Sequence, residues 1–332
     1  MISIVIPFYN EELVLDELFE RIFSMLQRDF STMSHEVICV DDGSRDSTYL
    51  RLLELQKLYS AIKIVKFSRN FGHHKAISAG LDYASGDYIV LMDGDLQDQP
   101  EEIPHMFKKI QQGYDVVYGI RKQKQFSYFK KLRSSLFIRV IQWLMDEKIE
   151  LNTSIFRIIK RSVLSNVVQL REKNRFVLGL IGWVGFKTGS IEVEHGERKK
   201  GVTKYSLKKE IKLALDAICA FSDYPLRLIS RIGFLLMALS GTFSCFLVIR
   251  KMLFGIGLMG WTSVMCAILF TSGMHMLLLG VVGEYIGRIY IEVKNRPLYI
   301  VETTVGFLKK EIEHEARRET TTIVSARSFE QL

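Results

Sequence analysis

The stretch Tyr88-Ile89-Val90-Leu91-Met92-Asp93-Gly94-Asp95-Leu96-Gln97-Asp98 decides how the chain is read. Five apolar or aromatic residues in a row read as a buried strand; they run straight into Asp-Gly-Asp, and Pro100 then opens a helix. Two carboxylates one residue apart at a strand end make a poor core, because both charges have to be neutralised or solvated. A hard divalent cation, held by carboxylate oxygens and by substrate phosphates, would do this, and Mg²⁺ or Mn²⁺ favours such ligands. An acidic surface turn would show the same short motif, so the rest of the chain has to choose.

Outward from this stretch, strands and helices alternate. Ile2–Ile6 reads as a strand stopped by Pro7, and Glu11 to about Gln27 as a helix with Leu13, Leu18, Ile22 and Leu26 near helical spacing. Glu36–Val40 is a second strand, ending on Asp41-Asp42-Gly43-Ser44, and Asp46 or Ser47 caps a helix to about Tyr59. Ile62–Phe67 is a third strand, ending on Ser68-Arg69-Asn70, with a helix from about His74 to Ala84 after it. Beyond the acidic stretch, Pro100 to Gln112 is helical and Asp115–Tyr118 is a strand leading to Arg121. Such alternation predicts an α/β fold: a mostly parallel sheet with helices on both faces, binding ligands beyond the carboxyl ends of its strands. Those ends carry Pro7-Phe8-Tyr9-Asn10-Glu11, Asp41-Asp42, Ser68-Arg69-Asn70, Asp93-Gly94-Asp95 and Arg121. A harmless surface would scatter such groups, so their convergence predicts a nucleotide or metal site on that edge. No glycine-rich loop follows the first strand, which argues against a dinucleotide fold.

At 332 residues the chain has room for two units. Its mean hydropathy of +0.12 is high beside 25% charged residues, because the last third carries long apolar runs. A net charge of +8 fits nucleic acid, an anionic membrane surface or a phosphorylated substrate. The basic residues sit beside the apolar runs, which speaks against nucleic acid. Cys39, Cys219, Cys245 and Cys266 are scattered without metal-ligand spacing and fit a reducing compartment. With a strand starting at Ile2, no signal peptide is expected.

Phe126 to Trp143 reads as a helix with a cationic first half (Lys130, Lys131, Arg133) and an apolar second half. It suits a phosphate meeting an apolar chain at a membrane surface, or simply a solvated face. Arg175–Trp183 and Lys187–Val193 complete the globular part, and His195 through Lys204 is a basic loop able to close over a ligand. Lys204 to about Phe221 is amphipathic, which suits a core-packed helix or one lying in the bilayer interface. Ile232–Ile249 has no charge, nor has Trp261–Val282, and both read as membrane spans. Arg227 and Arg231 precede the first; Arg288, Lys294, Arg296, Lys309 and Lys310 follow the second; the loop between holds only Arg250 and Lys251. That bias places both ends, and the globular domain, in the cytoplasm. The expected organisation is a catalytic domain at 1–203, amphipathic juxtamembrane helices at 204–230, spans at 231–250 and 260–283, and a cytoplasmic segment with a polar tail at 284–332.

Val5-Ile6-Pro7-Phe8-Tyr9-Asn10-Glu11, Val40-Asp41-Asp42-Gly43-Ser44, Asp93-Gly94-Asp95-Leu96-Gln97-Asp98 and Gly283-Glu284-Tyr285-Ile286-Gly287-Arg288 stand in that order, with two apolar runs before the last. In this the chain resembles the family 2 glycosyltransferases of the polyprenyl-phosphate type. They include dolichol-phosphate mannose synthases, bactoprenol glucosyltransferases and undecaprenyl-phosphate aminoarabinose transferases. The resemblance implies a GT-A nucleotide-sugar-binding domain followed by a two-helix transmembrane hairpin. It implies inverting transfer of one sugar from a nucleotide sugar, a UDP-sugar by expectation, to undecaprenyl phosphate. A bacterial inner membrane location and a homo-oligomer, a tetramer among the options, go with it. By resemblance, Pro7, Tyr9, Glu11 and Asp42 hold base and ribose with Asp41 beside them, and Asp93, Asp95 and Gln97 take the metal and diphosphate. Arg121, Lys130 and Ser134 take the acceptor phosphate, and Arg198 and Lys204 clamp the donor phosphates. Lys130 stands where some members carry Arg, so a bidentate contact becomes a point charge. The bactoprenol enzymes read Asn-Thr-Gly-Asp-Phe-Arg where this chain has Asn152-Thr153-Ser154-Ile155-Phe156-Arg157, so a proposed base is Ile155 here. That apolar residue, with Thr203-Lys204-Tyr205-Ser206, fits the aminoarabinose-transferase branch better. Two rivals remain: a non-catalytic nucleotide-binding membrane protein of the same fold, supported by Ile155 alone, and a polysaccharide synthase, which needs more spans and a Gln-x-x-Arg-Trp motif not found here.

Overall fold

The computed structural model describes residues 1–121, 155–173, 175–194, 196, 224–254 and 260–307. They fall into two units, one holding 1–121, 155–196 and 297–307 and the other 224–254 and 260–296.

The first unit is built on a sheet with strand order β7-β5-β6-β4-β1-β2-β3-β8. Its centre is β1 (Ile2–Phe8), β2 (His35–Asp41), β3 (Ile62–Phe67) and β4 (Tyr88–Leu91), all parallel. Every residue of β1 is buried, as expected of a strand covered on both faces. The strand runs through Pro7 to Phe8 rather than stopping at Ile6. Met92 N–H donates to Val5 O, so the alternate residues Val5 and Pro7 face the β4 side, and the register with β4 ends at Val5–Leu91. Pro7 therefore lacks a donor only where no partner strand needs one. α1 (Leu15–Asp29), α2 (Thr48–Leu58) and α3 (His73–Tyr83) connect these strands. A Cβ at Gly80 of α3 would collide with the Val5 side chain, so this helix lies with its backbone close against the sheet. The expectation of an α/β unit with a mostly parallel sheet holds here.

After a 3₁₀ turn at Pro100–Glu102, α4 (Ile103–Ile110) leads to β5 (Val116–Arg121). β6 (Arg157–Lys160) then inserts antiparallel between β4 and β5, followed by α5 (Arg161–Val167), α6 (Val177–Trp183) and β7 (Thr188–Val193). Sequence reading placed no strand at β6. Its four residues are too few to show a period, although Ile158 and Ile159 are fully buried.

The second unit holds two long helices, α7 (Tyr224–Phe254) and α8 (Trp261–Val293). They stand where the two spans were expected and extend past them at both outer ends. Several side chains of both helices lie outside the described set, and among the described residues no helix is long and apolar enough to cross a membrane.

Within the stretch after residue 284, the chain re-enters the first unit at 297–307, where sequence reading expected no strand. β8 (Val301–Val305) pairs antiparallel with β3 and closes that edge of the sheet. Leu298 and Tyr299 are buried, the Tyr299 ring stacks on Phe67 at 5.0 Å, and its hydroxyl donates to Asp82 Oδ2 at 2.7 Å. Arg171 donates to the same oxygen at 2.7 Å. Removing the hydroxyl leaves a buried carboxylate short of a donor, which costs about 1–3 kcal/mol. Tyr299→Phe should therefore lower the unfolding midpoint of the purified protein; an unchanged midpoint would show that the return segment is not fastened through Asp82.

Candidate functional site

Because β1 to β4 are parallel, their carboxyl ends share one edge, and the loops there are stitched to one another. Asn10, in the left-handed region at φ 57°, accepts Arg45 N–H on Oδ1 at 2.8 Å and donates its own N–H to Ser44 Oγ at 3.0 Å. Glu11 N–H donates to Thr48 Oγ1 at 2.9 Å. The β1–α1 and β2–α2 loops are thus one surface, with Tyr9 on it, 41% exposed and open to stacking. Pro7 is buried within β1, behind that surface.

The two acids ending β2 do different work. Asp41 is fully buried and accepts Ser44 N–H at 3.1 Å. Asp42, 3% exposed, accepts Phe71 N–H at 2.6 Å and Gly72 N–H at 3.0 Å, tying the loop after β3 to the end of β2. Burial pushes both carboxyls above the usual range and outweighs these bonds. At the opposite edge the balance is reversed. Burial works against charge on Glu36 too, but donors on Ser3, Ser85 and Lys63 outweigh it and hold its carboxyl below the usual range. The far edge thus stabilises the charged form of its buried acid, whereas burial at the carboxyl edge works against charge on Asp41 and Asp42.

The acidic turn follows β4. Asp98, 3% exposed, accepts Asp93 N–H at 3.0 Å and closes the turn on itself. Asp95 Oδ1 accepts Gln97 N–H at 3.1 Å, which orients that carboxylate. A Cβ at Gly94 would meet the Phe8 ring at 2.5 Å, so glycine lets the turn pack directly on the end of β1. Asp93 and Asp95 are half-buried, and His73, at the start of α3, places Nε2 3.5 Å from Asp93 Oδ1. Among the described residues no three His, Cys, Asp or Glu side chains converge as a metal cage. Mg²⁺ or Mn²⁺ takes one or two carboxylates and completes its shell with phosphate oxygens and water. Asp93 and Asp95, with Gln97 beside them, fit such a cation.

The structure thus brings Tyr9, Glu11, Asp41, Asp42, Asp93, Asp95 and Gln97 to one edge, with Pro7 behind them. Arg121 ends β5 in its backbone; its side chain, and all of Lys130, Ser134, Arg198 and Lys204, lie outside the described residues. Sequence reading missed His73 and Asp98. A His just past the Ser-Arg-Asn end of a strand, and a third Asp in the acidic stretch, were signals that could have found them. Ile155 is buried in the apolar cluster with Ile89, Leu91, Tyr118 and Val177, and its carbonyl accepts from Arg157 Nε at 3.2 Å.

Sequence comparison places these features among known proteins. The profile described as Glycosyl transferase family 2 matches residues 3–175. The uncharacterized glycosyltransferase YkcC of Bacillus subtilis (strain 168) is 45% identical, over 93% of this chain and 96% of that protein. The uncharacterized glycosyltransferase sll0501 of Synechocystis sp. is 40% identical, over 92% of this chain and 96% of that protein. The SfII prophage-derived bactoprenol glucosyl transferase of Shigella flexneri is 36% identical, over 91% of this chain and 97% of that protein.

His74, next to His73, packs edge-on against Phe176 at 5.0 Å. Burial, with His73 and Arg157 adding to it, pushes its pKa down to about 4. The unfolded chain, with a His pKa near 6.5, therefore takes the proton first, and stability falls as pH drops from about 6.5 to about 4. His74→Phe should flatten that part of the stability–pH curve, gaining at most about 3 kcal/mol on the wild type at pH 4. Denaturant unfolding of both proteins across this range is the check, and parallel curves would refute it.

Proposed function

The chain belongs to glycosyl transferase family 2 and is a glycosyltransferase, and from that premise we propose that it transfers one sugar from a UDP-sugar to undecaprenyl phosphate. The observation that carries this reading is the Asp93–Asp98 turn. It places a carboxylate pair at the edge where Tyr9, Asp41 and Asp42 gather. Support for the acceptor comes from the bactoprenol glucosyl transferases, which align along nearly the whole chain.

In this reading Tyr9, Glu11 and Asp42 line the nucleoside end of the donor, with Asp41 beneath. Asp95, with Asp93 and Gln97, would hold Mg²⁺ or Mn²⁺, which neutralises the departing diphosphate. An oxygen of the lipid phosphate forms a bond to the anomeric carbon. The bond from that carbon to the donor diphosphate breaks, and its electron pair leaves with the nucleoside diphosphate. The linkage is inverted. Because a phosphate monoester is largely dianionic at neutral pH, no proton need be removed from it. The enzyme then needs no carboxylate base at Ile155, and a buried apolar residue there is compatible with turnover. The obstacle is repulsion between two anions, to be relieved by the cation and by Arg121, Lys130, Ser134, Arg198 and Lys204.

Support for a membrane location lies in α7 and α8. Phe234, Leu239, Phe243, Phe246, Phe270 and Met276 are all more than half exposed, which is costly in water and natural in lipid. In the full sequence Ile232–Ile249 and Trp261–Val282 carry no Asp, Glu, Lys or Arg. We read these as two spans of a bacterial inner membrane, with the first unit on the cytoplasmic side.

The test is a panel of nucleotide sugars with undecaprenyl phosphate and purified full-length protein, read by mass spectrometry of the lipid. One sugar per lipid is expected, with dependence on Mg²⁺ or Mn²⁺. Asp95→Asn should cut transfer at least about a hundredfold. Longer products would indicate a polysaccharide synthase. Binding of nucleotide without turnover of any donor would indicate a non-catalytic protein.

A further inference from the structure

β7 leaves the sheet at Val193, and the residues after it run back to the acidic turn. Glu194 N–H donates to Glu102 Oε1 at 3.3 Å, and Gly196 N–H donates to Gln97 O at 2.9 Å. The second bond lands between the metal-facing carboxylates and Asp98, which closes the turn. A Cβ on Gly196 would meet Leu96 O at 2.8 Å and Gln99 Nε2 at 2.9 Å. The first of these is backbone and cannot swing aside. The need for glycine is thus one of space.

The opposite side of the turn is fixed as firmly. Leu96 holds φ 63°, a left-handed conformation that side-chain-bearing residues avoid. Such a conformation persists where the surroundings over-determine it. Here the Leu96 side chain, 4% exposed, is seated in the cluster with Ile6, Phe8 and Met92, while its carbonyl lies where a Gly196 side chain would project. The turn is therefore clamped by a buried side chain below, the Asp98 carboxylate across its base and the Gly196 amide from outside.

We propose that Gly196 is a positioning residue for the donor site. Its amide and its lack of a side chain hold the Asp93–Asp98 turn in the shape that presents Asp93 and Asp95 to the cation and the donor diphosphate. The strand β7 exit and the carboxylate turn then act as one body. This rests on the functional reading above.

Full-length protein in detergent is titrated with Mn²⁺ in the presence of UDP, with free Mn²⁺ followed by electron paramagnetic resonance. Gly196→Ala should raise the Mn²⁺ concentration for half-saturation at least tenfold, with the thermal midpoint unchanged within about 2 °C. Gly182→Ala, where nothing lies within 4 Å of the added carbon, should leave Mn²⁺ binding as in the wild type. Wild-type affinity in Gly196→Ala overturns the inference, as does a loss of binding that merely follows a loss of fold. In the wild type, hydrogen exchange of the segment containing Gly196 should slow on adding Mn²⁺ and UDP, together with 93–98. Unchanged exchange there overturns it too, even if the variant does not accumulate. Failure of the wild type to bind Mn²⁺ at all would instead sink the metal role that the inference presumes.

Discussion

Asp41, Asp42, Asp93 and Asp95 stand at the carboxyl ends of β2 and β4, and the fold has to hold like charges together there. Backbone amides orient these carboxylates. Ser44, Phe71 and Gly72 donate to the first pair, Gln97 donates to Asp95, and Asp98 is consumed by Asp93 N–H. An amide donor fixes the direction of the carboxylate it binds, which holds these loops in a defined shape. The stitching of Asn10 to Ser44 and Arg45, the packing of Gly94 on Phe8 and the close seat of α3 at Gly80 all serve the same end. They keep the loops that carry the acids from relaxing apart.

Much of this was legible in the sequence because strand and acid are contiguous in it. An apolar run that ends in Asp-x-Asp states both its burial and the direction in which the charges emerge. Alternation with helices then puts the end of β1, the Asp41–Asp42 pair and the acidic turn on one edge without any knowledge of contacts. His73 and Gly196 were not legible in that way. They act on residues 20 and 99 positions away, through an imidazole and an amide whose partners only the folded chain selects. β6 was hidden by its shortness. β8 was hidden by its context: Val301-Glu302-Thr303-Thr304-Val305 has the β-branched composition of a strand, but it follows an apolar run and precedes a polar tail.

β8 constrains the membrane reading from a side that hydropathy does not reach. It hydrogen-bonds to β3, and α7 and α8 lie between the two in sequence. A chain that crossed a bilayer once in that interval would leave β8 on the far side from the strand it pairs with. The number of crossings between residue 196 and residue 297 must therefore be even. At 1.5 Å per residue, helices of 31 and 33 residues are roughly 45–50 Å long, more than a hydrocarbon core of about 30 Å requires. Two crossings satisfy both conditions, as zero would. In the proposed membrane reading the exposed phenylalanines and leucines of α7 and α8 would face lipid, whereas with zero crossings they would lie in water. In that proposed reading the charge bias of the flanking residues would put the sheet on the cytoplasmic side. Of these observations it is the pairing of β8 with β3 that excludes a single span, since neither helix length nor exposure distinguishes one crossing from two.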